Sequence, residues 1–376
     1  PYTIQAPVVP PSFACTGEVD KAWCMAAATE AAEPPWGSSD GVPTELVRFE
    51  ALPEPASASG AKQATVPLVI RHVPRTVQTA CDPGLARLGL RLGVDLGTDP
   101  DPIWSYGHVG AHLYPSALSM AEHLLTAPGQ SLLRGKRVLE LGCGVGVLGP
   151  VASLAGAKKV VLTDFDPVVL DLCAHNQALN RVALAAAAAS GVEVLVRRLD
   201  WRRAATAGTE DACLLEGVDV VIAADVVYDE GLSDALTRVL VAVAERNPEC
   251  TILLGVQYRE DDPLREQSSA VERWLEALVT ERREPPGDPR ASPSSPSRSR
   301  SPRRGRGALF RGEVLLGQAP DDDAGTPGRL RRVDAADAGT GDVPCCGGQL
   351  EVWQLRRRVA GPGGAALPAA DVRAGP

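Results

Sequence analysis

Three glycines at alternate positions, Gly142, Gly144 and Gly146, directly follow the apolar run 138–141. Glycine lets a backbone turn sharply after a buried strand, and lets a ligand approach closer than a Cβ atom would allow. Glu140 lies two residues before the first glycine, and Val147 stands where a dinucleotide fingerprint has its third glycine. A purely structural strand–turn–helix is the alternative, but the pattern favours a site for a nucleoside ligand other than NAD.

Two further acidic residues follow later strands of the same pattern. Asp164 ends the next apolar run, where a carboxylate can accept hydrogen bonds from both ribose hydroxyls of a nucleoside. The alternative role for Asp164 is capping the next helix, but Asp166 is the better N-cap because Pro167 follows it. Asp200 and Trp201 follow the third strand, where a carboxylate can accept from an adenine amine and an indole can pack on the ring. On their own, these two residues would more often be a turn and a core residue.

Asp225 and Tyr228 follow the fourth apolar run, 218–223. The carboxyl edge of a parallel sheet is where bound ligands react. We therefore interpret Asp225 as a group that holds or deprotonates a nucleophile, and Tyr228 as a wall of its channel. Helix capping by Asp225 and core packing by Tyr228 are the alternatives.

These residues can form one site only if a sheet brings the ends of their strands together, and the pattern of the sequence predicts such a sheet. Strands and helices alternate from residue 137, which predicts a mostly parallel α/β sheet with helices on both faces. An amphipathic helix covering 114–125 precedes it, and two late segments can close the sheet as strands six and seven. The predicted strands are 137–141, 159–163, 192–199, 218–223, 251–257, 308–316 and 349–355, and the helices between them end near 155, 180, 245 and 283.

Composition divides the chain into three parts. Residues 1–103 are rich in Pro, Ala and Gly, and are predicted to be a partly disordered extension with short strands that could select the substrate. A catalytic domain over 104–358 is interrupted by low-complexity insertions at 284–307 and 318–348, and 359–376 is predicted to be a disordered tail. The Arg/Ser/Pro tract at 284–307 is interpreted as a solvated insertion rather than a phosphorylated docking segment or an RNA-binding arm.

Charge and cysteine content narrow the class of protein. The 376 residues carry a net charge of −9, which argues against a general nucleic-acid binder. Nine scattered cysteines without metal-ligand spacing indicate reduced thiols and no metal site. No apolar run is long enough for a membrane span, and the first residues lack a secretory pattern. We therefore expect a monomer in the cytoplasm, with the nucleus as the alternative.

Together these motifs resemble the family 16 methyltransferase-like proteins, which have a Rossmann-like seven-strand class I fold. The most specific segment is 219–228, DVVIAADVVY, with the D-x-x-Y/F motif of the family. The segments 107–110, GHVG, and 113–118, LYPSAL, are similar to the family's approach to its first helix, and 350–355 to its last strand. The family usually has Trp where this chain has Tyr114, so the aromatic character is kept.

The resemblance implies a methyltransferase that uses S-adenosylmethionine and acts on a lysine of a non-histone protein. Within the group, the segments are most similar to enzymes that methylate translation elongation factor 2, so a translation factor is the expected substrate. Another acceptor (a protein histidine, a protein arginine or a small molecule) and a catalytically silent scaffold are the alternatives. The cofactor-binding residues are expected to be Tyr114, Glu140, Gly142, Gly144, Gly146, Asp164, Asp200, Trp201 and Ala224, and the catalytic residues Asp225 and Tyr228.

Four histidines lie near these segments and could be mistaken for bases or ligands. They are isolated from one another in the pattern, and two of them fall on predicted helices. We interpret them as surface or hydrogen-bonded core residues: His108, His112, His123 and His175.

Overall fold

In a computed structural model of the chain, strands and helices alternate as the sequence predicts. The structure describes residues 36, 42–53, 65–79, 81–94, 107–187, 191–206, 209–228, 230–258, 265–283, 310–316, 329–332 and 350–357. The predictions for residues 1–35, for the start of the catalytic domain at 104, for the tract 284–307 and for the tail 359–376 lie outside these residues.

Eleven strands, nine α-helices and one short 3-10 helix (Val109–Ala111) occur in the described residues. The strands are β1 (Glu45–Leu52), β2 (Val66–His72), β3 (Arg137–Leu141), β4 (Lys159–Asp164), β5 (Glu193–Arg198), β6 (Val220–Ala224), β7 (Thr251–Gln257), β8 (Val279–Arg283), β9 (Phe310–Leu316), β10 (Arg329–Arg332) and β11 (Leu350–Arg357). The helices are α1 (Pro83–Arg91), α2 (Pro115–Leu125), α3 (Ala127–Leu133), α4 (Leu148–Leu154), α5 (Pro167–Ala186), α6 (Trp201–Ala204), α7 (Glu210–Cys213), α8 (Glu230–Arg246) and α9 (Arg265–Leu278).

The larger sheet has the order β5-β4-β3-β6-β7-β11-β9-β8. Strands β3 to β7 are parallel, and β11 runs antiparallel to both of its neighbours. Every residue of β7 is buried, as expected for a strand covered by helices on both faces. The Rossmann-like class I fold predicted from the sequence is confirmed. The connection after β3 leads to β4, on one side of β3, and the chain later returns to form β6 on the other side of β3. The carboxyl ends of β3 and β6 therefore border a crevice.

Two helix ends differ from the prediction: α5 continues to Ala186 instead of ending near residue 180, and the last long helix is shorter than expected. The last long helix was expected to continue to Arg283, but α9 ends at Leu278 and residues 279–283 form β8. Val279 and Thr280 are β-branched, which favours a strand, and β8 finds a parallel partner in β9. The larger sheet therefore has one strand more than the seven predicted.

A second sheet has the order β10-β1-β2 and is antiparallel throughout. In β1 and β2, alternate side chains are buried, among them Phe49 and Leu68, so one face of this sheet lies on the core. The strand β10 comes from the segment 318–348, where the sequence predicted only a loop insertion. Its pairing partner β1 comes from the N-terminal extension, so described parts of both regions share one sheet.

The start of α5 and the membrane-spanning potential of the helices were also predicted from the sequence. Asp166 caps α5 by accepting from the Val168 N–H at 2.8 Å, with Pro167 in the first turn, as predicted. Among the helices that the structure describes, none is both long and apolar enough to cross a membrane.

We predict that Leu68→Ala in β2 destabilises the whole described unit. Leu68 is fully buried, and truncating such a leucine costs about 2–5 kcal/mol of unfolding free energy. Denaturant unfolding, followed by a probe in the larger sheet, measures the change. Leu90→Ala on α1, where the side chain is 57% exposed, is the control and should change stability by less than about 0.5 kcal/mol. An unshifted transition in Leu68→Ala would show that the small sheet is energetically separate.

Candidate active site

The three glycines form a loop between β3 and α4 that only glycine can adopt without strain. Their φ angles are +67° at Gly142, +51° at Gly144 and +76° at Gly146. A Cβ atom on Gly142 would stand 2.8 Å from Val226 Cγ1, and one on Gly144 would stand 3.0 Å from the Gly110 carbonyl oxygen. The loop therefore needs glycine for its conformation and for its close contacts.

Asp164 lies directly beside this loop. One carboxylate oxygen accepts from the Gly144 N–H at 3.1 Å, and the other accepts from the Asp166 N–H at 3.1 Å. Burial, and then the charge of Asp166, raise the pKa of Asp164 to about 6. A carboxylate at the end of β4 is thus fixed next to the glycine loop, where the ribose of a nucleoside was predicted.

Glu140 is a buried acid in β3, the strand beside β4, and lies close to Asp164. The side chain is 3% exposed, and within the described residues its Oε2 atom has no hydrogen-bond partner. Burial and the Asp164 charge raise the pKa of Glu140 well above its usual value. Leaving such a buried oxygen unpaired costs about 1–3 kcal/mol, so Glu140 is poised for a donor from a bound molecule.

Trp201 and Asp200 meet the loop from the end of β5. The ring carbon Cζ2 of Trp201 lies 3.5 Å from the position that a Gly142 Cβ would take, so the indole lies against the loop. The Asp200 carboxylate caps α6 and binds the Arg202 guanidinium through both oxygens at 2.9 Å. The predicted contact of Asp200 with adenine stays a prediction, and in this conformation Arg202 holds that carboxylate.

Phe165 is an aromatic residue of this region that sequence reasoning did not single out. The Arg198 guanidinium lies 4.9 Å from the centre of its ring, and the Arg202 guanidinium 5.0 Å. Its position directly after Asp164 was the available signal. Phe165 thus connects the Asp164 side of the site to the Asp200–Arg202 pair.

Tyr114 stands at the start of α2, at the end of the segment that covers the glycine loop. Its hydroxyl donates to the Val109 carbonyl at 3.1 Å, and the Arg75 guanidinium lies 4.8 Å from its ring centre. The same segment contacts the loop where the Gly110 carbonyl faces Gly144. The aromatic ring is therefore fixed on the covering segment, and its contact with the cofactor stays a prediction.

Asp225 has the one positive φ angle, +56°, found at a non-glycine position in the described chain. The left-handed conformation costs about 1–2 kcal/mol for a residue with a Cβ atom, although Asp tolerates it better than most. Its N–H donates to the Gly255 carbonyl at 2.8 Å, which fixes the turn after β6. Because α8 begins at Glu230, Asp225 is too far upstream to be the N-cap of that helix. Such strain is concentrated at functional sites.

The other residues predicted around Asp225 occupy the same edge. Ala224 ends β6, and its Cβ lies 3.5 Å from the position of a Gly255 Cβ. Tyr228 is half-buried, three residues after the strained position. Their roles in binding and catalysis stay predictions.

Ser116 is a second residue that the sequence analysis missed. It is 1% exposed in the first turn of α2, and its Oγ has no hydrogen-bond partner within the described residues. The Ser116 carbonyl oxygen lies 3.2 Å from the position of a Gly255 Cβ, so this hydroxyl belongs to the region of the Asp225 turn. No pattern in the sequence separates it from an ordinary helix serine.

His108 and His112 are hydrogen-bonded packing residues, as predicted, whereas the buried Nε2 atoms of His123 and His175 have no hydrogen-bond partner within the described residues. His108 is buried, and its Nδ1 atom lies 2.6 Å from an Asp166 oxygen. The His112 Nδ1 atom lies 2.9 Å from the Val73 carbonyl, and burial lowers the pKa of His123 to about 4. No group of His, Cys, Asp and Glu side chains in the described part of the chain could hold a metal ion.

These features fit the cofactor that the resemblance implies. A loop without Cβ atoms admits a ligand closely, the Asp164 carboxylate can accept from ribose hydroxyls, and the unpaired Glu140 oxygen can accept a further donor. The indole of Trp201 offers an apolar surface beside the loop. The residues present therefore suit a nucleoside ligand with polar groups at several positions.

We predict that Gly142→Ala weakens binding of S-adenosylhomocysteine, the demethylated form of the expected cofactor, by about tenfold or more, an effect of at least about 1.4 kcal/mol. The added methyl group meets Val226 and lies against Trp201, so the loop must move. Isothermal titration calorimetry measures the affinity. Gly217→Ala is the matched control, because Gly217 has a φ of +63° but open space around its Cβ position. Equal affinities in the two variants would contradict a binding role for the loop.

Comparison with known proteins identifies relatives of the central domain. Residues 104–272 match the family model described as lysine methyltransferase, methyltransferase family 16. Methyltransferase-like protein 22 of Homo sapiens is 32% identical over 42% of this chain and 40% of its own length. The electron transfer flavoprotein beta subunit lysine methyltransferase of Danio rerio is 31% identical over 45% of this chain and 52% of its own length. The chain thus spans about half the length of these curated relatives.

Among solved structures, a ribosomal protein L11 methylase from Lactobacillus delbrueckii subsp. bulgaricus aligns over 66% of this chain and 81% of its own, with 13% identity and a TM-score of 0.33. The methyltransferase domain of bacterial CtHen1 aligns over 63% and 96%, with 15% identity and a TM-score of 0.35. The fold itself rests on the strand order described above. The family-model match over residues 104–272 agrees with the resemblance to lysine methyltransferases that the motifs indicated.

Proposed function

We propose that this protein is a cytoplasmic enzyme that transfers a methyl group to the ε-amine of a lysine in a non-histone protein, such as a translation factor. The observation that supports this most directly is the strained Asp225, which is bonded to Gly255 and directly precedes Val226, the residue that faces Gly142 of the glycine loop. The relatives named electron transfer flavoprotein beta subunit lysine methyltransferases support a protein lysine as acceptor.

When bound, S-adenosylmethionine supplies a methyl group that is electrophilic because it is attached to a positively charged sulfur. The residues of this chain have to bind the nucleoside, orient the acceptor and exclude water. Asp164 and the glycine loop fit the first task, and Glu140 offers an acceptor for a further polar group.

The acceptor amine must lose a proton before it can react. A lysine with its ordinary pKa of about 10.4 is almost entirely protonated at neutral pH. In the proposed mechanism, the Asp225 carboxylate accepts a hydrogen bond from the amine, orients its lone pair and receives or relays the proton. Tyr228, half-buried at the same edge, walls the channel and keeps water away from the amine.

The first experiment combines the purified protein with radiolabelled S-adenosylmethionine and a lysate. One labelled band with a modified lysine, identified by mass spectrometry, would support the proposal and name the substrate. Label on a histidine, an arginine or a small molecule would show that this group, and not a lysine, is the methyl acceptor. Cofactor binding without any labelled product would favour a silent scaffold. That last alternative is disfavoured because Glu140, the glycines, Asp164 and Asp225 are all present together.

We predict that Asp225→Gly abolishes transfer, with a loss of about 100-fold or more, while leaving stability unchanged or higher. Glycine adopts a φ of +56° without strain, so this variant removes the carboxylate and keeps the turn. Methylation assays and thermal unfolding measure the two effects, and S-adenosylhomocysteine affinity should stay within about twofold. Asp234→Asn on the exposed face of α8 is the control. Undiminished methyl transfer in Asp225→Gly would show that Asp225 takes no part in the mechanism.

Cofactor affinity should depend on the ionisation of Asp164. The pKa of about 6 is raised, so the free folded protein holds this proton more tightly than the unfolded chain does. The stabilising effect of that proton is therefore present at low pH and lost as pH rises through about 6. A ribose needs the ionised carboxylate, so S-adenosylhomocysteine affinity should fall as pH drops below about 6.

Calorimetric titrations between pH 5 and pH 8 measure this dependence, with the buffer range set by the Asp164 pKa of about 6. Asp164→Asn should bind more weakly and lose the dependence. A flat profile in the unaltered protein would contradict the ribose role of Asp164.

A further inference from the structure

The glycine loop is held from behind by two consecutive residues of α5. The Asn176 side chain donates from Nδ2 to the Val145 carbonyl at 2.8 Å, and the Gln177 side chain donates from Nε2 to the Gly146 carbonyl at 2.9 Å. Two neighbouring carbonyls of the loop are therefore turned toward α5. This fixes the peptide planes on both sides of Gly146, whose φ angle would otherwise be free to change.

Asn176 also pairs with the edge strand of the smaller sheet. Its Oδ1 atom accepts from the Arg71 N–H at 2.8 Å, and its Nδ2 atom donates to the Arg71 carbonyl at 2.9 Å. One helical turn later, Asn180 makes the same pair of bonds with Val69, at 2.8 and 2.7 Å. Both asparagines are fully buried. Their side chains give the backbone N–H and C=O groups at the edge of β2 the hydrogen bonds that a further strand would provide.

The two asparagines differ in one bond. Asn176 gives its amide hydrogens to the Arg71 and Val145 carbonyls, and thus connects the small sheet to the glycine loop. Asn180 gives its hydrogens to the Val69 and Asn176 carbonyls, and does not reach the loop. A direct comparison of the two can therefore separate support of β2 from support of the loop.

We propose that Asn176 is a positioning residue for the cofactor, which fixes the Val145 carbonyl and couples the edge of β2 to the glycine loop. The inference rests on the proposed cofactor function. A ligand that orders the loop must then also tighten the bonds of Asn176 to Arg71, because coupling between two sites is reciprocal. Asn176 does not touch the reacting atoms, and acts through the loop.

The test compares Asn176→Ala with Asn180→Ala in the full chain, using S-adenosylhomocysteine as the probe. Both variants should lose stability, because each leaves the edge of β2 unpaired. We expect Asn176→Ala to raise the dissociation constant by about tenfold, and Asn180→Ala to change it by less than about twofold. Calorimetry measures affinity, and denaturant unfolding measures stability.

A second measurement uses the unaltered protein, so it does not depend on the folding of either variant. Hydrogen exchange of the Arg71 amide, which is bonded to Asn176, should slow on addition of S-adenosylhomocysteine more than exchange of the Val69 amide, which is bonded to Asn180. Equal protection of the two amides, or equal loss of affinity in the two variants, would overturn the coupling alone. No binding of the probe by the unaltered protein would overturn the proposed function and, with it, this inference.

Discussion

The site exists because β3 and β6 are neighbours in the sheet, although β4 and β5 lie between them in the chain. The connections leave these two strands in opposite directions, so their carboxyl ends are not covered by the same helix. The glycine loop leaves one of these ends, and the Asp225 turn leaves the other. Contact between Gly142 and Val226 joins them across the gap. Without this adjacency, a nucleoside site and an acceptor site could not share one edge.

Left-handed backbone occurs on both sides of this gap, with different consequences. The three glycines of the loop adopt it without a steric cost, whereas Asp225 adopts it at some expense of stability. Buried acids add to that expense, since burial raises the pKa of both Glu140 and Asp164. The free protein therefore stores unfavourable free energy where a ligand could release it. The buried network of Asn176, Gln177 and Asn180 behind the loop offsets part of this cost by satisfying backbone groups.

Much of this could be predicted from the sequence, because the relevant signals are local. Alternating apolar runs and glycines located the parallel strands β3 to β7, and the Asp-Pro pair located the start of α5. The family-model match over residues 104–272 agrees with the resemblance to lysine methyltransferases, while the individual site residues, the substrate and the likeness to enzymes of elongation factor 2 stay predictions. Phe165 had a local signal in its position directly after Asp164, whereas Ser116 and Asn176 could not be found from the sequence, since their importance comes from contacts between distant segments. The helix pattern that continued past Leu278 hid β8 for the same reason, because only its partner β9 makes it a strand.

The pairing of β1 with β10 places Phe49 opposite Arg332, near the two ends of the described chain. Contacts of such high sequence separation form slowly, because a very long loop must close before they yield any stabilisation. During synthesis, β1 and β2 leave the ribosome long before β10 exists, so the outer edge of β1 has no partner of its own for that interval. An exposed strand edge is a template for pairing with other chains. The small sheet is therefore where a nascent chain of this protein is most in need of protection.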